Sequence, residues 1–414
     1  MNAASYLGAR EGRLAYLCFG WAYLLGYLLR SVNAVIAPDL VTDLGLSQSE
    51  LGLLTAAYLA SFGLMQLPVG LLLDRYGVRR VLSVLLLFAA AGALVFALAH
   101  SFVMLWFGRA LIGVGTAGTL MASYKVFAER YPKERMPQLS AWVLLAGSIG
   151  ALLSTVPTGM VLPLIGWRGV FVVVGLLIFL TVFVVLRLVP PALPVIAQPL
   201  VVQLASFKGI FCSAHFWQLA PVTLAFSGGF MALQGLWAGP WLADIGGLSG
   251  TAVAGALLVF NFALMCGHFV FGNVIVKLEK RGVALGTVLT AGLLLALGAL
   301  GWIVLGGLPA WPPLPWVLLA LSACTVNLTY AILARHFPLH LTGRLNTSIN
   351  LLAFVGAFVF QAGIGKLLDL VTHAGLSKET AYSLAFGVVW LVELATFVWF
   401  LMGNTKPISP AAEG

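Results

Sequence analysis

The sequence predicts an all-α membrane protein with twelve transmembrane helices, arranged as two similar halves of six helices each. Composition is the first observation: 61% of the 414 residues are apolar, 8% are charged and the mean hydropathy is +1.04, whereas a soluble domain is about 25% charged. The second observation is that the apolar residues form blocks of about 18 to 27, long enough to cross a hydrocarbon core of about 30 Å. Such blocks are helical because lipid forces each backbone N–H and C=O to bond within its own segment. The third observation, an internal repeat, follows below.

The blocks give the expected helix boundaries. We place helices near residues 14–38, 51–73, 81–98, 102–128, 139–164, 168–189, 216–239, 250–276, 283–306, 314–335, 346–370 and 381–402. No small-residue cleavage site follows the first block, so it is expected to be a retained helix and not a signal peptide.

The basic residues set the predicted orientation. The formal net charge is +9, but the Lys and Arg residues are distributed over short loops and form no single patch, which argues against nucleic acid as a partner. The loops on the side of the N-terminus carry most of them, and Arg168, Lys366 and Lys378 are the exceptions. Because cytoplasmic loops are enriched in Lys and Arg, both termini are expected in the cytoplasm. We predict a monomeric, multi-pass protein of the bacterial inner membrane, with the lipid bilayer as its surroundings.

The two halves resemble each other in sequence. Residues 123–132 (SYKVFAERYP) align without gaps on residues 329–338 (TYAILARHFP), and Gly70 falls on Gly272 in an earlier stretch. A proline-rich stretch starting at Pro190 separates them. The predicted organisation is therefore an N-terminal bundle (1–189), a cytoplasmic linker (190–215), a C-terminal bundle (216–402) and a cytoplasmic tail (403–414). A parallel repeat is the symmetry expected of two bundles that rock about a central site.

A charged segment joins the second and third helices. It reads GLLLDRYGVRR from residue 70 to residue 80, and it resembles the signature of the major facilitator superfamily. The repeat, linker and loop lengths extend this resemblance to the whole chain. In that family the acid and bases of this loop latch the two halves, which the resemblance assigns here to Gly70, Asp74, Arg75, Gly77, Arg79 and Arg80. In the second half Val276 stands where the acid would fall, so a latch there must use other partners. The alternative is a loop that only anchors the chain by its positive charge.

Two arginines lie inside predicted helices of the first half. Arg109 begins a glycine-rich stretch (RALIGVGTAG) that resembles the second signature of the family, and it either binds substrate or pairs with carbonyls to hold helices together. Arg30 lies eight residues before Pro38, roughly 12 Å below the outer end of its helix. Each cation is costly in a bilayer unless it is paired or hydrated. The segment around Arg30 resembles the first helix of the organophosphate and organic-anion branches, in which this arginine binds the anionic group. The alternative is a structural cation.

Further polar residues in the predicted helices complete the expected site. In the phosphate-ester exchangers that the Arg30 segment resembles, a second arginine in the seventh helix completes a clamp, and because this helix has none here, the resemblance argues against a phosphate ester as substrate. Residues that we expect to line a substrate cavity, or else to satisfy one another between helices, are Tyr27, Asn33, Tyr124, Lys125, Gln234, Trp237, Asn327, Tyr330 and Gln361. Lys125 lies about one turn from its helix end, so it also has the option of snorkelling. His268 and Glu393 are candidates for proton coupling, against a structural role for each.

These features predict a secondary transporter that takes up a small organic anion by alternating access, through proton symport or exchange. Efflux of amphiphilic or drug-like compounds is one alternative, and a transporter-like ligand sensor is another. The drug–proton antiporters of the family that this chain resembles typically have a Gly-Pro pair in the fifth helix, and its absence here makes efflux less favourable. There is no GxxxxGK[ST] loop for ATP. No nucleophile with a base and no metal-ligand spacing occurs, and Cys18, Cys212, Cys266 and Cys324 are far apart. We therefore expect no enzymatic activity, no cofactor and no metal.

Overall fold

A computed structural model describes residues 9–132, 135–191, 207–305, 311–338 and 341–403, and the regular structure within these ranges is entirely helical. Most of the predicted linker and nearly all of the predicted tail lie outside the described residues. The helices are α1 (Ala9–Ser31), α2 (Asn33–Leu44), α3 (Gln48–Tyr76), α4 (Val78–Ala97), α5 (Phe102–Thr116), α6 (Thr119–Arg130), α7 (Met136–Leu153), α8 (Val156–Leu188), α9 (Ala214–Asp244), α10 (Gly250–Lys280), α11 (Leu285–Val304), α12 (Leu314–Val326), α13 (Leu328–Ala334), α14 (Thr342–His373) and α15 (Lys378–Met402).

The apolar helices are long enough for a polytopic membrane protein. Among the described residues, 10 helices are long and apolar enough to cross a bilayer, and the bent pair α1 and α2 raises this to 11. The segment Gln138–Leu153 of α7 is a shorter apolar helix. The predicted helical class is confirmed, and the number twelve and the position of the termini stay predictions.

Breaks within the predicted helices are the main departures from the expected boundaries. The first predicted helix extends to Leu44 and bends by 46° between α1 and α2. Helix α8 runs through parts of two predicted helices and is interrupted at Gly166, whose φ of 65° and ψ of 173° are not helical. Helix α9 contains two π-helical turns, Thr223–Ser227 and Leu233–Trp237. Such turns are frequent at functional positions in helices.

Residues before and after the undescribed stretch 192–206 are called here the first half and the second half. The two meet along α3 and α14, where glycines permit close backbone approach. A Cβ at Gly52 would lie 2.7 Å from the carbonyl oxygen of Gln361, and a Cβ at Gly365 would lie 2.4 Å from that of Gln48. Any larger residue would force the helices apart, so these contacts depend on glycine. One end of the molecule, called the Asp369 end, contains the start of α3 and the end of α14, and the opposite Asp74 end contains the turn between α3 and α4.

Candidate functional site

Arg30 lies near the end of α1, where it is half-buried and faces aromatic rings from both halves. Its guanidinium carbon is 5.1 Å from the ring centroid of Tyr27 in the first half and 5.8 Å from that of Phe354 in the second half. Both distances are within the range of cation–π attraction. In the described part of the chain, no carboxylate forms an ion pair with Arg30. Its donors are therefore available to an anion placed between the halves.

Aromatic side chains continue around this cation. Tyr27 packs edge-on against Tyr23 with 5.5 Å between ring centroids, and Phe354 packs against Phe62 at 4.6 Å. Phe62 in turn lies 5.8 Å from Tyr58. Rings of this kind present their negative faces to a cation and add apolar surface around it. The site is thus a positive group in an apolar setting, where electrostatic attraction for an anion is strong.

Arg109 on α5 has a different environment. It is fully buried, with 0% exposure, and its Nη1 donates to the backbone carbonyl of Leu29 at 2.6 Å. The rings of Tyr58, Phe96 and Phe171 surround the guanidinium at 5.6 to 5.9 Å. Within the described ranges, its Nε and Nη2 have no hydrogen-bond partner. Arg109 is therefore enclosed by protein, and the residue that it bonds, Leu29, is the neighbour of Arg30 on α1.

The bend in the first span explains why Leu29 has a carbonyl to offer. In an uninterrupted helix the amide of Asn33 would donate to it, but α1 ends at Ser31 and α2 starts at Asn33. Arg109 supplies the donor at this break. The Asn33 side chain is also fully buried and donates through Nδ2 to Oγ1 of Thr55 on α3 at 2.9 Å. The predicted residue Asn33 thus joins α2 to α3.

The predicted polar residues of α9 and α14 bond mainly within the second half. Gln234 donates to Oδ1 of Asn261 at 2.8 Å, and Trp237 donates through Nε1 to the carbonyl of Gln361 at 3.2 Å. Gln361 and Trp237 are fully buried. The Gln361 backbone also faces Gly52 of the first half, so these side chains support the contact between the halves.

The remaining predicted lining residues lie in three places. Tyr330 donates to Oδ1 of Asn350 at 3.4 Å, and Asn350 donates to Gln66 of the first half at 3.4 Å. Tyr124 is half-buried on α6 and packs against the core. Asn327 is exposed and lies 3.4 Å from Nε2 of His268, which is also exposed. The structure brings Tyr330, but not the Asn327–His268 pair, into a hydrogen-bonded chain that crosses the halves.

Glu393 is 2% exposed on α15, and its Oε2 has no hydrogen-bond partner among the residues that the structure describes. Its Oε1 lies 2.8 Å from the place that a Cβ of Gly229 would occupy on α9. A carboxylate in such a position is costly in its charged form. Glu393 is therefore enclosed by protein, whereas the His268 side chain lies on the surface of the helix bundle.

The predicted latch residues lie at the Asp74 end. Asp74 forms a short ion pair with Lys125 of α6, which is 3.6 Å from Glu129 on the same helix. Asp74 and Lys125 both belong to the first half, so this pair does not join the halves in the observed conformation.

The other predicted latch residues lie around the same turn. Gly77 forms the turn between α3 and α4, Arg75 lies over the ring of Tyr76 at 5.4 Å, and Gly70 is half-buried on α3. Arg79 and Arg80 are in the first turn of α4, half-buried and exposed respectively.

The second half contains an equivalent ion pair in different sequence positions. Glu279 at the end of α10 pairs with Arg335 next to the end of α13. In the sequence repeat, Asp74 falls on Val276 and Lys125 on Ala331. The acid and the base of the second half therefore lie three and four residues further along, about one helical turn each. This pair supplies the partners that the sequence motif of the second half lacks.

Sequence reasoning missed two residues that the structure places at important contacts. Phe354 contacts Arg30 from the other half, and no pattern distinguishes it from the lipid-facing phenylalanines. Asp369 of α14 contacts the start of α3. An acid in the last turns of a helix is unfavourable with the helix dipole. That signal alone indicates a partner outside its own helix.

The profile of the Major Facilitator Superfamily matches residues 19–361. This chain belongs to that superfamily. The predicted resemblance is thereby confirmed, and the match includes both Arg30 and the Asp74 segment.

Curated relatives in the superfamily align over part of their length. A probable L-galactonate transporter of Escherichia coli (strain K12) is 30% identical over 169 residues, which is 41% of this chain and 37% of the relative. The hexuronate transporter of the same strain is 27% identical over 157 residues, 38% of this chain and 36% of the relative. A nitrate/nitrite transporter of Picosynechococcus sp. is 34% identical over 123 residues, 30% of this chain and 23% of the relative. In each case the alignment spans well under half of the relative.

Solved structures show the same fold over nearly the whole chain. A bacterial homologue of the human lysosomal transporter Spinster, in an inward-facing and occupied conformation, has a TM-score of 0.74 at 17% identity, covering 95% of this chain and 97% of the other. A D-xylose–proton symporter has a TM-score of 0.73 at 14% identity, covering 95% and 98%. At these identities the likeness concerns the fold.

Proposed function

We propose that this protein is a secondary transporter that takes up a small organic anion by alternating access, and that Arg30 is the residue that binds the anionic group. The observation that carries the proposal is the position of Arg30 between the two halves, with rings on both sides and no ion-paired carboxylate among the described residues. A permanent cation in a membrane span needs compensation. A negatively charged substrate provides that compensation during each transport cycle.

The architecture supports alternation. We propose twelve membrane-spanning helices, of which α7 and α8 together form two that are divided at Gly166. Both termini and the Asp74 end are proposed to lie in the cytoplasm. The halves are in contact at the Asp369 end through Gly52 and Gly365. A substrate that binds Arg30 more tightly in one arrangement of the halves than in the other shifts the population between them.

The named relatives support the substrate class. Galactonate, hexuronate and nitrate, which occur in the names of the three curated relatives, are all anions, and two are sugar acids. We therefore propose a carboxylate of sugar-acid size. Uptake by proton symport or exchange is proposed with Glu393 and His268 as the coupling candidates, since Glu393 is enclosed and forms no ion pair among the described residues, and His268 is a titratable group within a candidate span.

Binding to purified protein tests the anion site. Galacturonate, galactonate and nitrate are to be compared with uncharged xylose in a thermal-unfolding assay. At a hundredfold excess over Kd, a ligand that binds only the folded state stabilises it by about 2.7 kcal/mol. We expect a sugar acid, but not xylose, to raise the Tm of the wild type, and Arg30→Ala to abolish this rise and the uptake of that acid into liposomes.

Arg168→Ala is the matched control for Arg30→Ala. Arg168 also lies over an aromatic ring, that of Trp167 at 4.1 Å, but it pairs with Asp43 at the Asp369 end. Its removal is expected to leave the ligand-induced rise in Tm unchanged. Full uptake by Arg30→Ala, or stabilisation by xylose and not by any acid, would contradict the proposal.

A further inference from the structure

The start of α3 is held by a carboxylate from the other half. Asp369 of α14 accepts hydrogen bonds from two successive backbone amides, with 3.1 Å between Oδ1 and the nitrogen of Gln48 and 2.7 Å between Oδ2 and the nitrogen of Ser49. These two amides are the first in α3 and have no carbonyl partner within their own helix. The carboxylate also lies at the positive end of the helix dipole.

Local groups satisfy only the other amides of this helix start. Ser47 accepts from the amide of Glu50 at 3.1 Å, and the Glu50 carboxylate accepts from the amide of Ser47 at 2.9 Å, which is a complete capping box. Of the four orphan amides at a helix start, two are therefore bonded within the first half. The other two depend on Asp369, which belongs to the second half.

The geometry around Asp369 is specific to the closed contact. Gly365 lies one turn before Asp369 on α14, and a Cβ there would be 3.2 Å from the Cα of Ser49 as well as close to the Gln48 carbonyl. Gln361, a further turn back, faces Gly52 in the same way. This stripe brings α14 against the first turns of α3. When the halves separate at this end, the hydrogen bonds between the Asp369 carboxylate and the two amides must break.

We propose that Asp369 and the amides of Gln48 and Ser49 form a gate contact, which stabilises the conformation closed at the Asp369 end and must break each time that end opens. Asp369 is a positioning residue for transport and does not contact substrate. The contact needs the charge and both oxygens of the carboxylate, because hydrogen bonds to a charged group are the stronger kind. It is independent of the ligand proposed for Arg30.

Distances between spin labels on the two halves test this gate. Thr42 and Ala374 are exposed residues next to the contact, on α2 and after α14, and each is replaced by cysteine in a background without the four native cysteines. Pulsed EPR on the purified full chain then gives the ratio of open to closed populations. We expect Asp369→Asn to raise this ratio about tenfold, as expected for the loss of a charge-assisted hydrogen bond.

Asp244→Asn is the matched control for Asp369→Asn. Asp244 is another acid at this end, and it bonds to Lys378 and Tyr382 within the second half alone. Its replacement should leave the distances unchanged. An unchanged distribution in Asp369→Asn, or an equal change in both variants, overturns the proposal.

Gln48→Pro tests the same contact from its other side and decides the question if Asp369→Asn does not fold. Proline removes the amide proton of Gln48 but is favoured at the first position of a helix, and the preceding Ser47 has the extended backbone, ψ 164°, that proline requires. We expect the open population to increase in this variant too. Wild-type distances in Gln48→Pro would overturn the proposal.

Discussion

Arg30 and Arg109 are two cations of the first half that lie close together, because Arg109 bonds the carbonyl of Leu29, the residue before Arg30. Their surroundings differ. Arg109 is fully buried, and its guanidinium bonds the carbonyl of Leu29. Arg30 is half-buried and contacts rings of both halves. The comparison separates two settings for an arginine in a membrane helix, one in which the guanidinium is enclosed by one half and one in which it lies at the boundary between the halves. The substrate-binding role predicted for each stays a prediction.

The largest expected effect concerns the stability that Arg109 provides. Arg109→Ala removes the donor to Leu29 and leaves a cavity between the rings of Tyr58, Phe96 and Phe171, so we expect a loss of about 3 kcal/mol. Thermal unfolding in detergent should show a lower Tm without ligand, while a bound sugar acid should still raise it. Loss of the ligand-induced rise at an unchanged ligand-free Tm would place Arg109 in the substrate site and remove the contrast with Arg30.

An intermediate effect is expected at Phe354, which completes the setting of Arg30 from the second half. Phe354→Leu removes one cation–π contact, worth about 0.5–2 kcal/mol, so we expect the apparent affinity for the anion to fall several-fold in a titration of the Tm shift. Phe62→Leu is the control, since Phe62 packs on Phe354 and not on Arg30. An equal loss in both variants would indicate a general packing effect.

The smallest effects are expected for the ion pairs at the Asp74 end. The side chains of Asp74 and Lys125 are 50% and 20% exposed, and those of Glu279 and Arg335 are 45% and 58% exposed. Exposed pairs contribute about 0 to 1 kcal/mol. Asp74→Asn and Glu279→Gln should therefore lower the Tm only slightly, and the decrease should be smaller at high salt. The decrease should also be smaller for Glu279→Gln than for Asp74→Asn, because Arg335 is more exposed than Lys125. A large loss in either variant would show that the pair has a role beyond surface electrostatics.

The fold could be predicted largely from hydropathy, because bilayer thickness fixes the length of each apolar block. The breaks could not. The bend between α1 and α2 lies at Val32, six residues before Pro38, where no local residue signals it, and the tertiary contact with Arg109 accounts for the free carbonyl. Similarly, the first π turn of α9 follows Pro221 and the second contains Gly235, but neither residue type by itself predicts a π turn.

The site was predicted in part. Arg30 is identifiable because a charge in an apolar block is costly, whereas Phe354 is one apolar residue among many and becomes important only through its position opposite Arg30. For Lys125 the sequence leaves a cavity-lining role and snorkelling open, and the structure adds an ion pair with Asp74 at the end of the molecule. Contacts between residues far apart in sequence decide such cases, and a single sequence does not contain them. The substrate-binding roles of the predicted residues stay predictions.

The bend at Val32 divides the first span into two rigid pieces with different neighbours. The α1 piece packs on α7 through contacts such as that of Leu24 with Gly150, whereas the carbonyl of Ala34 on the α2 piece lies against Gly239 of the second half. Because no helical hydrogen bond from Asn33 to Leu29 ties the pieces, we expect the span to bend first at Val32, beside Arg30, whenever the contacts at the Asp369 end rearrange.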